Sequence, residues 1–413
     1  MHADIIILGA GVVGLATAWH LKRQEPASRI VVLEQAVAAC RGNSGRSAAL
    51  FRNLFSSATS RDLAESSIFH YQQLAGAIAF KATGYLWHFS AEAWPQVQAA
   101  AEMLAREGEA VEILQAESSA CGGLQPSPEG WPALGASLFG RSCGSLSAPA
   151  LAAWYEKQFL ALGGEVVYDC AVQELLPDRP SGRTADLPQQ FSGVRDSKGQ
   201  VWRAGQIIAC TGCWLQDLLG PAGIASTVYS KKRQLFAISA DQPEAIYGNS
   251  PEGSAYPVLI LPYGGIYLKP VLARGLVVVG RADNLGRAFE QPYSLAAAQP
   301  EPEYFRVHIE PALQAYFPRW AAAHPDGFVV KQAWAGHYDY HWPDNNPVIE
   351  QQANLIWVGG SSGSGIMKAD ALGRVAAARV FGQEQAELAD GRLFRVADLS
   401  LRQRAVAAEG LII

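Results

Sequence analysis

No run of Lys or Arg in this sequence is long enough to line a nucleic-acid groove or form a polybasic membrane patch. The 33 Lys and Arg are outnumbered by 38 Asp and Glu, for a net charge of -5. No nucleic-acid partner is expected, and a small molecule is expected instead. Long apolar runs are missing too: near the N-terminus Ile5 to Leu8 follows Asp4 and breaks at Gly9, too short for a bilayer span or a signal core. A protein without a transmembrane segment, in the cytoplasm, is the expectation. Cysteine is sparse, and Cys40, Cys121, Cys143, Cys170, Cys210 and Cys213 show no framework spacing, as suits buried thiols in a reducing compartment. Cys210 and Cys213 form a C-x-x-C with no second pair and no nearby His, so no metal is expected. Internal repeats and low-complexity segments are absent as well.

What is present describes a compact α/β protein. The chain has 413 residues, 49% of them hydrophobic and 17% charged, and exceeds the size at which one hydrophobic core stops growing. Two closely packed domains follow. The patterning predicts strand Asp4 to Leu8, a helix from Val12 to Arg23, and strand Ile30 to Glu34, which is a βαβ opening. Arg41 to Ser57 has a loop composition, and helical patterning resumes from Arg61 through Ile78. Helices are expected at Trp94 to Glu107 and Pro149 to Leu162, and a strand at Glu165 to Tyr168. Ser192 to Asp196 and Gln200 to Ala204 read as a strand pair, and Gln206 to Cys210 as a buried parallel strand. Between Ala225 and Ala333 the strands Lys232 to Ile238, Val258 to Pro262, Gly265 to Pro270 and Gly275 to Arg281 read as antiparallel. Strand Leu355 to Val358, a Gly/Ser loop and an amphipathic helix from Ile366 to Val380 close the pattern.

The chemistry begins at Gly9-x-Gly11-x-x-Gly14, which leaves a strand and opens a helix, with Glu34 20 residues beyond Gly14 at the end of the next strand. The first Gly permits the tight turn, the second lets the backbone approach a pyrophosphate, and the third lets helix and strand pack closely. Ala10 and Val13 lie inside this turn. Glu34 is placed to accept from ribose hydroxyls, with Gln35 beside it, and its charge argues against a 2′-phosphate. A dinucleotide is expected.

Three distant Gly/Ser-rich turns decide between FAD and NAD. The first is Gly42 to Ala49, including Ser44, Gly45, Arg46, Ser47 and Ala48. The second is Ile208 to Trp214, including Thr211, Gly212 and Trp214, and the third is Val358 to Met367, including Gly363, Ser364, Gly365, Ile366 and Met367. Such additional close backbone approaches exceed what NAD needs and suit the ribityl chain, pyrophosphate and ring of FAD.

With these residues assembled, nearly the whole chain resembles the D-amino-acid oxidase superfamily of flavoproteins, including sarcosine and glycine oxidases and the D-arginine type of dehydrogenase. The resemblance runs through Ile5 to Glu34, Ser44-Gly-Arg-Ser-Ala48, Lys231-Lys-Arg-Gln234, Tyr267-Leu-Lys-Pro270, Gly280-Arg-Ala-Asp283, Trp334-Ala-Gly336, Pro343-Asp344, Val348-Ile349 and Gly359 to Gly373. It implies an α/β fold, a Rossmann-type FAD-binding domain interleaved with an antiparallel-sheet α+β substrate domain. The FAD part takes 1–84, 145–222 and 334–413, and the substrate part 85–144 and 223–333. Val172 and Gly336 join the cofactor residues on the same basis. The implied reaction oxidises the C–N bond of a small amino acid or N-alkyl amine by hydride transfer to flavin N5, giving an imine that hydrolyses, with oxygen or another acceptor emptying the flavin.

The resemblance also distributes roles. Arg52 inherits the substrate carboxylate, and Lys269 faces flavin N5, where a fixed cation favours oxidase over dehydrogenase. His337 and Tyr338 lie in the segment that lines this family's pocket. That segment reads His337-Tyr338-Asp339-Tyr340 where the glycine oxidase branch carries a carboxylate-gripping Arg. It also has no Cys for covalent flavin, so non-covalent FAD is expected. The Lys of the sarcosine-oxidase-like members is matched by Met367, and Lys368 falls one residue later, a rotation of about 100° on a helix. Trp334 to Tyr340 also resembles relatives associated with respiratory-complex assembly. An accessory flavoprotein and a 2-hydroxy-acid oxidoreductase therefore stand as alternatives.

Overall fold

The computed structural model describes residues 1–107, 110–116, 123–178, 190–248, 256–282 and 298–411. Cys121 and Asp283 of the sequence reading lie outside the described residues. The chain opens with strand β1 (His2–Leu8), helix α1 (Val12–Gln24) and strand β2 (Ile30–Leu33). It continues through the short helix α2 (Asn43–Arg46), helix α3 (Ala58–Gln73), strand β3 (Tyr85–Ser90) and helix α4 (Ala148–Ala161). Later come β4 (Val201–Ala209), β5 (Val228–Ser239), β6 (Ile266–Val271), β7 (Val330–His341), β8 (Leu355–Gly359) and helix α5 (Gly365–Val380).

One sheet runs in the order Val348–Gln352, β8, β4, β1, β2, Glu165–Val167. Every neighbouring pair from β8 to Glu165–Val167 is parallel, and Val348–Gln352 is antiparallel to β8. The apolar run of β1 needs no alternation because both its faces are covered. Ile5 and Ile7 pack in a core with α1, α4 and α5, while Ile6 and Leu8 join Val31, Leu33, Ile207 and Ala209 on the other side. α1 and α5 approach closely through small residues: a Cβ on Gly373 would stand 2.8 Å from the Ala16 carbonyl carbon.

The second sheet runs in the order β7, β5, Leu276–Arg281, β6, Val258–Ile260, β3, Leu134–Gly140, Val111–Gln115. It is antiparallel except where Val258–Ile260 pairs with β3. Phe236, Ile238, Leu268, Val277 and Val279 pack on one face against Phe305, Leu313, Tyr316 and Trp320 of the helices over 302–322. Leu235, Tyr267 and Val278 face the other core, with Trp87 and Phe89.

Several local expectations are corrected. The loop expected at Arg41 to Ser57 contains α2 and the two-residue strand Leu50–Phe51. Gln200 to Ala204 and Gln206 to Cys210 form one strand, β4, because its pairing with β1 continues across Gly205, from His2 against Arg203 to Ile5 against Gln206. On its other side β4 changes partner, from the antiparallel Phe191–Asp196 to the parallel β8. The division expected at 333/334 falls inside β7, which pairs with β5 from Val330 to His341. Among the described residues no helix is long and apolar enough to cross a membrane.

Candidate active site

The turn after β1 is closed by glycines at atomic contact. Gly9 has φ +100°, and a Cβ there would stand 2.8 Å from the Cys210 carbonyl oxygen, so β1 and β4 meet edge to edge. On Gly14 a Cβ would stand 2.0 Å from the Gly9 carbonyl oxygen, which is how the first turn of α1 lies on the loop. Gly11, the N-cap of α1, has no side chain to close the helix end, and its Cβ position is 3.2 Å from Ser44 Oγ. Glu34 is buried, its two carboxylate oxygens accepting from Ala10 N at 2.7 Å and Ala36 N at 2.8 Å. A carboxylate keeps further lone pairs for a ligand. Gln35 beside it is exposed.

α2 supplies the next contact. Ser44 Oγ accepts from Val12 N at 3.3 Å, and Gly45 lies where a Cβ would be 2.0 Å from the Cys40 carbonyl oxygen. Asn43 ties this segment to the second sheet: its Oδ1 accepts from His337 N at 2.8 Å and its Nδ2 lies 2.9 Å from Cys213 Sγ. Trp334 Nε1 donates to the Arg46 carbonyl at 2.8 Å, and Gly336 leaves room for Asn43 and Arg46. Ser47 Oγ accepts from Ala49 N, and Lys269 Nζ donates to the Ala48 carbonyl at 2.6 Å.

The third and fourth turns lie opposite. At Gly212, φ +57°, a Cβ would meet nothing within 4 Å, and the Thr211 hydroxyl is buried with no hydrogen-bond partner. The Trp214 ring packs on Gly42. Asp339 holds the Gly360–Gly365 turn: its carboxylate accepts from Ser361 Oγ at 2.6 Å and Ser361 N at 3.1 Å. Burial pushes the Asp339 carboxyl upward in pKa, against those two bonds. Ser364 Oγ donates to the Ser361 carbonyl at 2.6 Å, and α5 then starts at Gly365.

One cavity is lined by all four turns and by the second sheet. Gly11, Val13, Ser44, Ser47, Ala48, Gly212, Gly363, Ser364, Gly365, Ile366 and Met367 come from the turns, and Tyr85, Tyr267, His337, Tyr338 and Arg52 face them. Tyr85 and Tyr267 are fully buried, and burial drives both phenols well above their ordinary range, so they are neutral donors. Tyr338 packs on Gly363. Arg52 is 5% exposed and stacks on Phe55, its Cζ 4.0 Å from the ring centre; it donates to the Leu54 carbonyl and, at 2.6 Å, to the Leu411 carbonyl.

The remaining sequence candidates lie apart from this lining. Lys269 reaches the Ala48 carbonyl from outside it, and burial brings its pKa down to about 8. Lys368 is fully buried on the other side of α5, its Nζ 2.8 Å from Ser60 Oγ and 4.3 Å from the Phe55 ring centre, with burial lowering its pKa to about 7. That placement corrects its grouping with the catalytic candidates: one step of helix separates it from Met367, which lines the cavity. Val172 begins the strand Val172–Pro177 and packs on the core behind β2.

Sequence reasoning passed over Asn43, Tyr85, Tyr267, Asp339 and the cavity-lining thiols Cys210 and Cys213. Tyr267 was within reach, since the two-residue period of β6 puts it on the face of Lys269. Tyr85 carries no such signal, because only the pairing of distant strands brings it here. Among the described residues no two cysteines are joined by a disulfide, and no group of three or more His, Cys, Asp or Glu is arranged to hold a metal.

An extended polyphosphate ligand of the FAD type fits this cradle. Gly11 and Gly212 leave backbone open where side chains would intrude, two helix N-termini face the same cavity, and the buried Thr211 hydroxyl awaits a partner. The family described as FAD dependent oxidoreductase (DAO) matches residues 4–379. FAD-dependent oxidoreductase domain-containing protein 1 of Xenopus laevis is 24% identical over 431 positions, covering 91% of this chain and 78% of that protein. Among solved structures, L-proline dehydrogenase from P. horikoshii is similar with a TM-score of 0.74 at 20% identity, over 92% of this chain and 94% of that one. Glycine oxidase from Geobacillus kaustophilus is similar with a TM-score of 0.71 at 18% identity, over 98% and 99%.

Proposed function

Because the chain belongs to the DAO family of FAD dependent oxidoreductases, we propose that it oxidises the C–N bond of a small amino acid or N-alkyl amino acid. FAD, when bound, supplies the hydride acceptor. The observation that carries this reading is the shared cavity, in which the cofactor turns face a wall of neutral phenols and one guanidinium. Tyr85, Tyr267 and Arg52 are hydrogen-bond donors suited to a carboxylate. Arg52 commits N–H groups to the Leu54 and Leu411 carbonyls, and a guanidinium with five N–H donors keeps others for substrate. The work of these residues is positioning: they hold the substrate carbon against the turns from which the cofactor is reached.

The His337 imidazole stands where relatives with covalent flavin carry Cys, so the FAD is held non-covalently and leaves the protein on acid precipitation. Lys269, buried beside the Ala48 carbonyl, supplies the cation that favours oxygen as acceptor. Described cysteines that form no disulfide are in keeping with a cytoplasmic protein. The test is anaerobic mixing of the yellow protein with amines, amino acids and 2-hydroxy acids, following flavin absorbance. Bleaching by amino acids is expected. Bleaching by hydroxy acids alone replaces the substrate class, and a flavin that no compound reduces turns the reading to an accessory protein.

A further inference from the structure

Beside the cavity the molecule holds a group of buried charged residues, Arg52, Lys368 and Glu409, at 5%, 0% and 4% exposure, of which Arg52 also lines the cavity. Glu409 comes from the far end of the chain, where Ala405, Ala407, Ala408 and Gly410 are exposed. Glu409 and Leu411 are the buried residues of this stretch, and the Ala407 carbonyl also accepts from Asn346 Nδ2 at 2.9 Å. The Glu409 carboxylate accepts from Ser56 N at 3.0 Å, Ser56 Oγ at 2.9 Å, Ser57 N at 2.8 Å and Leu411 N at 2.8 Å. Its backbone N–H donates to the Asp344 carbonyl at 2.8 Å, and Gly410 N donates to Ser56 Oγ at 2.8 Å. The Leu411 side chain joins the core that holds Tyr85, Trp87 and Leu54, and its carbonyl accepts a hydrogen bond from Arg52 Nη2 at 2.6 Å.

The consequence lies at Arg52. Its guanidinium is stacked on Phe55, with Trp87 5.2 Å away, and is held at its rear by the Leu54 and Leu411 carbonyls. Without the strap Arg52 loses one of these two acceptors, and the apolar lid formed by Leu411 goes with it. Burial already disfavours the Arg52 charge, and the Glu409 carboxylate is the largest influence opposing that effect. Arg52 and Lys368 thus both lie within reach of one buried carboxylate beneath a cavity wall that Arg52 itself lines. An anionic group entering the cavity meets the Arg52 charge on its open side.

We infer that the segment Glu409–Leu411 is a positioning element of the substrate pocket, fixing Arg52 so that the cavity selects compounds bearing a carboxylate. This rests on the reading that Arg52 meets the substrate. Neither Glu409 nor Leu411 lines the cavity, so the strap acts on it through Arg52 and the residues packed there.

The test titrates the FAD-loaded protein with propionate and with propionamide, its neutral counterpart, reading the shift in flavin absorbance. Wild type is expected to respond to propionate in preference to the amide. Glu409→Gln, and a chain ended at Ala408, are expected to bind propionate about tenfold more weakly with propionamide unchanged. Arg52→Ala is expected to lose the same preference, and combining it with Glu409→Gln adds no further loss. FAD content and thermal midpoint are followed throughout, and Glu409→Gln decides the matter where the shortened chain fails to fold. Wild-type binding by Arg52→Ala, or no propionate preference in wild type, overturns the reading of Arg52 and the strap with it. An Arg52→Ala defect beside normal tail variants overturns the strap alone, as does equal weakening of propionate and propionamide.

Discussion

Substituting Gly11 and Gly14 by alanine should separate binding of the cofactor from stability of the fold. At Gly14 the added Cβ would lie 2.0 Å from the Gly9 carbonyl oxygen and 3.2 Å from its carbon, both backbone atoms of a turn already held by the Gly9 N–H bond to Leu33 at 2.8 Å. Relief needs α1 and the turn to part by more than about 1 Å, and overpacking of this kind costs about 1–3 kcal/mol or more. At Gly11 the nearest atom is Ser44 Oγ at 3.2 Å, the end of a rotatable side chain, and φ is -72°, ordinary for alanine. The apoprotein should therefore tolerate Gly11→Ala, and the loss of backbone freedom in the unfolded chain can even add about 0.4–1 kcal/mol. What Gly11→Ala removes is the space through which a pyrophosphate reaches the helix end. Urea denaturation of the apoproteins, with flavin content from absorbance, reads both effects. Gly11→Ala should match wild type in stability and lose FAD, and Gly14→Ala should lose both. Full FAD retention in Gly11→Ala, or wild-type stability in Gly14→Ala, would refute the geometry.

Arg52→Ala should lower kcat/KM for a carboxylated substrate by about ten- to a hundredfold, the value of a charge-assisted bond of about 1.5–3 kcal/mol; unchanged steady-state kinetics remove Arg52 from recognition. Reoxidation of the reduced protein by oxygen should slow as pH rises through about 8, where Lys269 loses its proton, and Lys269→Met should be slow and flat with pH in stopped flow. Equal rates for the two proteins dismiss the lysine. Lys368 titrates near 7 in the fold and near 10.5 when unfolded. The unfolded chain then binds more protons between these values, so stability rises with pH across that window, and below about 7 the full cost of burying the charge is present. Urea midpoints from about pH 6 to about pH 10 should show that rise in wild type and its loss in Lys368→Met.

The cofactor half of the site was legible because its constraints are local. Gly9, Gly11 and Gly14 answer to contacts within one strand, turn and helix, and the Gly/Ser composition of 42–49 and 359–365 marks backbone that must come close to something. The substrate half was not, because its residues meet only through long-range pairing. Tyr85 reaches the cavity from β3, separated from β7 by four strands of the second sheet, and no neighbour in sequence records it. Trp334 to His341 escaped assignment as a strand since its burial mixes half-buried and buried positions instead of alternating.

The helical register at Met367 and Lys368 shows how a local rule can decide a residue's surroundings while leaving its purpose open. A rotation of about 100° per residue turns Lys368 away from Met367 and therefore off the cavity, which the contact with Ser60 bears out. The same rotation carries its cation toward Phe55, where the Arg52 guanidinium also stacks, and within reach of the Glu409 charge. A buried ammonium is tolerable only where a carboxylate or hydroxyl answers it. The answering groups come from α3 and from a strap more than forty residues further along the chain. Arg52, Lys368 and Glu409 therefore form one electrostatic unit, in which the charge state of Lys368 bears on that of Arg52 without Lys368 touching the cavity.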